Sequence, residues 1–141
     1  MADVPGVPFL PRPFRELMGP LGVSASGMSR QQKFIEVIAN NIANAETTRT
    51  ADGGPYRREI AVAGTDPVTG APITTVREDS SPGRTVYQPG HPDADAQGYV
   101  HYPNVDVASE MVDLMIARRM HDANATVFQS AKAMLRKAID I

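Results

Sequence analysis

Apolar residues return every seven positions near both ends of the chain. In the first of these stretches Met28, Ile35 and Ile42 are seven apart, and Ile38 and Ala45 each follow three residues later. A period near 3.5 predicts a helix that hides one narrow stripe against a partner. Ser24 or Ser26 can cap its start, and Gly53, Gly54 and Pro55 stop any continuation. In the second stretch Met120, Val127, Met134 and Ile141 recur at the same interval, widened by Ile116 and Ala123 and flanked by Ala117, Ala131 and Ala138. Asp106 or Ser109 can cap this helix, and Glu110 in its first turn opposes the helix dipole. No Gly or Pro follows Pro103. A helix of about 35 residues there reaches about 50 Å, more than a small domain is wide.

The middle of the chain reads differently. Tyr56–Val62, Ile73–Arg77, Thr85–Tyr87 and Gly98–Tyr102 are short β-like runs, separated by turn-forming residues such as Asp66-Pro67 and Thr69-Gly70. Gln88–Gln97 is a polar, turn-rich loop. Ahead of the first helix, prolines at 5, 8, 11 and 13 predict an extended arm. The expected organisation is therefore an arm over 1–21, paired terminal helices over 22–45 and 105–141, and a β-hairpin and loop-rich insertion over 46–104. The fold class is mainly α with a small β-rich insertion, its N- and C-terminal helices paired as a coiled coil. Two helices alone do not cover both stripes, so an elongated subunit of a helical assembly is expected, with other copies of itself completing the layer.

Composition sharpens this picture. The chain has 14 basic and 16 acidic residues. That balance disfavours nucleic acid as a partner, because phosphate neutralisation needs clustered cations. There is no cysteine, so thiol chemistry and thiolate metal sites are excluded. No run of about 18 apolar residues is present, so no direct membrane insertion is expected. The first twenty residues lack the basic and apolar regions of a cleaved signal peptide. Four Phe, four Tyr and no Trp suit a thin molecule better than a compact core. The basic pairs Arg118-Arg119 and Arg136-Lys137 fit either a solvated helix face or ion pairs between subunits.

Catalytic signatures are missing. His91, His101 and His121 have no i,i+4 pairing, and Asp93-Ala94-Asp95 lacks the glycine and the distal glutamate of a calcium loop. There is no G-x-S-x-G, P-loop or dinucleotide fingerprint. Asn124-Ala125-Thr126 matches a glycosylation triplet but falls within a helix. Neither an enzyme nor a metal or cofactor site is expected. Competing readings are a secreted coiled-coil binding or adaptor module of another assembly, and a small hydrolase built on the β region.

Three motifs carry a family resemblance. Ala39-Asn40-Asn41-Ile42-Ala43-Asn44-Ala45 resembles a motif near the N-terminus of bacterial flagellar rod and hook proteins. Pro103-Asn104-Val105-Asp106, followed by Glu110-Met111-Val112, Arg118-Arg119 and Ala123-Asn124, resembles their C-terminal helix. Val86–Asp95 with Gly98-Tyr99-Val100 is similar to the proximal rod members of this flagellar axial family. The resemblance covers about residues 23–141. It implies a structural subunit of the proximal rod of the flagellar basal body, spanning the periplasm and transmitting torque to hook and filament. It further implies export by the flagellar type III apparatus without a cleaved signal peptide. The implied partners are other copies, other flagellar rod proteins, the adaptor joining rod to membrane ring, and the export apparatus. Ile35, Ile38, Ile42, Met120, Val127 and Met134 are the expected seam residues of the assembly interface. Asn40, Asn41, Asn44, Asn104 and Asp106 are the expected junction residues. The asparagines are poor helix formers but versatile hydrogen-bonding groups, suited to a helix C-cap or to a neighbouring subunit.

Overall fold

A computed structural model describes residues 12–140. Helix α1 runs Arg12–Ala43, strands β1 Glu59–Thr65, β2 Pro72–Glu78, β3 Thr85–Tyr87 and β4 Tyr99–His101 follow, and helix α2 closes the chain at Val107–Ile139. The helices have 32 and 33 residues, so each is about 50 Å long at 1.5 Å per residue. The mainly α fold with a small β insertion agrees with the sequence reading.

The expected arm over 1–21 is corrected from residue 12 onward, where the chain is already helical; residues 1–11 of that arm, and Ile141, lie outside the described residues. Pro13 falls in the first turn, where a missing N–H costs nothing. Pro20 lies inside α1. It removes one backbone hydrogen bond without ending the helix, because the residues that follow continue the pattern. The start of α2 is capped by Asp106, whose Oδ1 accepts from the Ala108 N–H at 3.2 Å and whose Oδ2 accepts from the Ser109 hydroxyl at 2.7 Å. Those bonds hold the Asp106 carboxyl below its ordinary range, the Ser109 hydroxyl contributing most.

α1 and α2 pack antiparallel. Asn41 of α1 bonds Glu110 of α2, and fourteen residues back along α1, Gly27 lies against Asn124, fourteen residues further along α2. A Cβ at Gly27 would sit 3.0 Å from Asn124 Nδ2, so this glycine permits a close helix approach. The α2 residues turned inward are Glu110, Leu114, Ala117, His121, Asn124, Phe128, Ala131 and Leu135, all buried or half-buried at alternating spacings of four and three. The heptad stripe read from the sequence, expected to pair the two helices with each other, is therefore not the face that meets α1. Met120, Val127 and Met134 lie outside the face turned to α1 and are 50 %, 51 % and 60 % exposed. On the inner face Ala117, Asn124 and Ala131 alternate with the larger Leu114, His121, Phe128 and Leu135, so the helices approach closely along the small positions.

The insertion holds two antiparallel ribbons. β1 pairs with β2 from Glu59↔Glu78 to Thr65↔Pro72. Its turn is closed by Asp66, whose Oδ1 accepts from the Val68 and Thr69 N–H groups, both at 2.8 Å. β3 pairs with β4 through Thr85↔His101, Val86↔Val100 and Tyr87↔Tyr99. Tyr87 and Tyr99 meet edge to face at 5.2 Å between ring centroids. Gly98 has φ +87, and a Cβ there would fall 2.9 Å from the Tyr87 ring, so the turn into β4 requires glycine. The loop between β3 and β4 docks beside the end of α1, where the Thr48 hydroxyl donates to Asp93 at 2.7 Å and Arg49 lies 3.5 Å from the same carboxylate. The core is thin: Val37, Ile38, Ala45, Val100, Ala117 and Ala131 are its buried apolar residues.

Candidate assembly surface and the polar hub beneath it

Where the two helices meet the insertion, a buried polar hub joins all three. Asn41, on the last turns of α1, makes four hydrogen bonds. Its Nδ2 donates to the Glu59 carbonyl at 2.9 Å and to Glu110 Oε2 at 3.0 Å. Its Oδ1 accepts from the Glu59 N–H and from the Tyr56 hydroxyl, both at 2.9 Å. An amide has two donors and two acceptor lone pairs, so Asn41 is fully satisfied. Glu110, 1 % exposed, also accepts from Arg58 Nε at 2.5 Å. Arg58 lies 3.7 Å from Asp79 and 3.9 Å from Asp113 as well. Its backbone N–H donates to Asn104 Oδ1 at 2.8 Å, and Asn104 Nδ2 donates to the Asp79 carbonyl at 3.1 Å.

Electrostatics follow from this geometry. Burial by itself lowers the Arg58 guanidinium, but its hydrogen bond to Glu110 and the charges of Glu110, Asp79 and Asp113 outweigh burial and raise it. The Tyr56 hydroxyl is pushed up to about 12, first by burial and then by the negative charges of Glu59, Glu110 and Glu78. No buried side-chain nitrogen or oxygen among the described residues lacks a partner. The hub has the character of a structural joint, because its buried polar groups are occupied by one another.

The expected site residues separate into distinct environments. Ile38 is buried, and Ile35 and Ile42 are half-buried. Asn41 and Asn104 belong to the hub. Asn40 is exposed, and its carbonyl accepts from the Asn44 N–H at 3.1 Å and from Asn44 Nδ2 at 2.9 Å. Asn44 Oδ1 accepts from Thr47 at 3.2 Å, so Asn44 caps the helix end. Asp106 is the cap of α2. Met120, Val127 and Met134 form an outward strip with Ile116, which is 52 % exposed. Near the hub, Ile116 and Met120 join Phe34, Val37, Ile38 and Ile60 in lining an open cleft of about 480 Å³ between α1, β1 and α2.

Sequence reasoning missed Tyr56, Arg58 and Glu110 as a unit. Glu110 looked sufficient as a dipole-opposing residue, and partners 52 and 69 positions away leave no local trace. Among the described residues no group of three or more His, Asp and Glu is placed to hold a metal ion, and no helix is long and apolar enough to cross a membrane.

Comparison with known proteins gives a consistent result. Residues 21–49 match the family model described as "Flagella basal body rod protein". Residues 96–141 match "Flagellar basal body rod FlgEFG protein C-terminal". The two matches cover the segment holding Asn41 and the segment holding Asn104 and Glu110. The chain is similar to the flagellar basal-body rod protein FlgC of Borreliella burgdorferi, 38% identical with 89% of this chain and 97% of that protein covered. It is similar in the same way to FlgC of Salmonella typhimurium, 38% identical with 89% and 97% covered. For FlgC of Bacillus subtilis the identity is 36%, with 86% and 95% covered.

Proposed function

We propose how this subunit is used, from the premise that the chain belongs to the family of flagellar basal-body rod proteins. As a member it is a structural subunit of the flagellar basal-body rod, and the family is not known for enzymes. Its place is the proximal rod, in a hollow shaft spanning the periplasm. It packs there against copies of itself, other rod proteins and the adaptor joining rod to membrane ring. It reaches that place through the flagellar type III export apparatus, without signal cleavage.

The helix pair is read as an antiparallel coiled coil forming the inner layer. The four-and-three spacing of the inward α2 residues supports this. The observation that carries the assembly reading is the outward strip Ile116, Met120, Val127 and Met134, which this chain leaves half exposed along α2. Contiguous apolar surface of this kind marks a protein contact. Ile35, Ile38 and Ile42 on α1, with Asn40 and Asn44 at its end, complete the proposed contact region. Arg118, Arg119, Arg136 and Lys137 make no ion pair among the described residues, which suits salt bridges to neighbouring subunits. Close-packed helices resist shear, which a torque-bearing shaft requires.

The test is Val127→Asp. The side chain is half exposed, so the purified variant should keep its helical circular dichroism and still be exported. Cells carrying it should be non-motile, because the charge is buried when subunits meet. Normal swimming by that variant would remove Val127 from the interface.

A further inference from the structure

We propose that Glu110 sets the axial register of α2 against α1 and acts as a positioning residue, not as a source of stability. Among the described residues, the bond from Asn41 Nδ2 to Glu110 Oε2 is the only hydrogen bond joining the two helices. The small-residue positions of the interhelix surface are permissive. A small side chain recurs there every seven residues at Ala117, Asn124 and Ala131. Gly27 lies so close to Asn124 that only a small residue fits opposite it, yet the positions seven before and seven after are alanines, smaller still. Sliding α2 by one heptad, about 10.5 Å, therefore leaves the close contact at Gly27 comfortable.

The polar contact is not permissive. A slip carries the Glu110 carboxylate, 1 % exposed in the observed register, away from Asn41 and Arg58, and loss of the partners of a buried charge is strongly disfavoured. A single polar residue in a coiled-coil seam is a known means of fixing register at some cost in stability. Removing Glu110 takes one partner each from Asn41 Nδ2 and Arg58 Nε, but leaves neither side chain isolated. Arg58 keeps Asp79 and Asp113, and Asn41 keeps the Glu59 backbone and Tyr56. The inference concerns the chain by itself and stands apart from the assembly reading.

The chain has no cysteine, so register can be read by disulfide trapping in the full-length protein. Gly27→Cys is combined in turn with Ala117→Cys, Asn124→Cys and Ala131→Cys. Asn124→Cys also removes the atoms that crowd Gly27. With Glu110 present, an intramolecular disulfide should form only in the 27/124 pair. With Glu110→Leu, trapping of the 27/117 and 27/131 pairs should rise about tenfold while helical circular dichroism is retained, a factor matching one charge-assisted hydrogen bond. Glu110→Gln keeps an acceptor for Asn41 and should stay in the 27/124 register. Exclusive 27/124 trapping in the Glu110→Leu chain would overturn the proposal. So would loss of helix in that variant, since Glu110 would then be a stabilising residue. Slipped disulfides in the chain with Glu110, or slippage with Glu110→Gln equal to that with Glu110→Leu, would overturn it equally.

Discussion

Asn41 shows how much one side chain can decide. It is 1 % exposed and bonded to a helix, a strand and a tyrosine at once. Replacing it with alanine leaves the Glu59 N–H and carbonyl, the Tyr56 hydroxyl and one Glu110 oxygen short of a partner. Asn41→Ala should therefore lower unfolding free energy by roughly 2–4 kcal/mol, measured by denaturant titration. An unchanged midpoint would mean that water replaces all four bonds. Tyr56 adds a pH dependence. Its folded pKa is raised from 10.0 to about 12, so the fold favours the neutral phenol. That stability is fully present below pH 10 and is lost as pH rises through about 12. Ellipticity followed above pH 10 should fall earlier in the natural chain than in Tyr56→Phe, which has no proton to lose. The motif around Asn41 was legible as a place where polar groups act. Its partners were not, because Tyr56, Arg58 and Glu110 are brought to it by the fold and not by spacing.

At the scale of elements, the helix pair depends on how closely its backbones approach. Gly27→Leu forces a branched side chain toward Asn124, whose amide already lies 3.0 Å from the Cβ position. The expected cost is roughly 1–3 kcal/mol, seen as a lower melting temperature, and Asn124→Ala should recover much of it in a double-mutant cycle. Additive effects would show that the two residues do not share a contact. The C-terminal helix was legible to its cap, because a stretch free of Gly and Pro after Asp106 leaves few alternatives. The strand at Thr85–Tyr87 was found as it stands, and the others within a few residues. The start of α1 was not legible, since Pro13 and Pro20 are ordinarily breakers and here sit in a first turn and inside a tolerated interruption. The inner face of α2 was hidden for a different reason. A seven-residue repeat fits more than one face of the same helix, and the seam of Glu110, His121 and Asn124 looks like a solvent face until its partners are known.

For the whole molecule, the accessible surface is 10322 Å², whereas a compact chain of 15.2 kDa exposes roughly 7,100 Å². The excess, about 3,000 Å² on one chain, exceeds one partner's share of a standard interface, roughly 800 Å². Exposed apolar side chains run along α2, and four of them are methionines: Met111, Met115, Met120 and Met134. Thioether oxidation follows solvent access, so these side chains report on what covers them. In the free chain, brief peroxide treatment should convert all four to sulfoxides at similar rates, since their exposures lie between 50 % and 60 %. In isolated basal bodies Met120 and Met134, which belong to the outward strip, should oxidise at least about tenfold more slowly, as buried methionines do. Peptide mass spectrometry of the two samples reads the ratio directly. Equal oxidation of Met120 and Met134 before and after assembly would leave the strip facing water or the channel, and the neighbouring subunits would then have to meet this chain through α1 and the insertion alone.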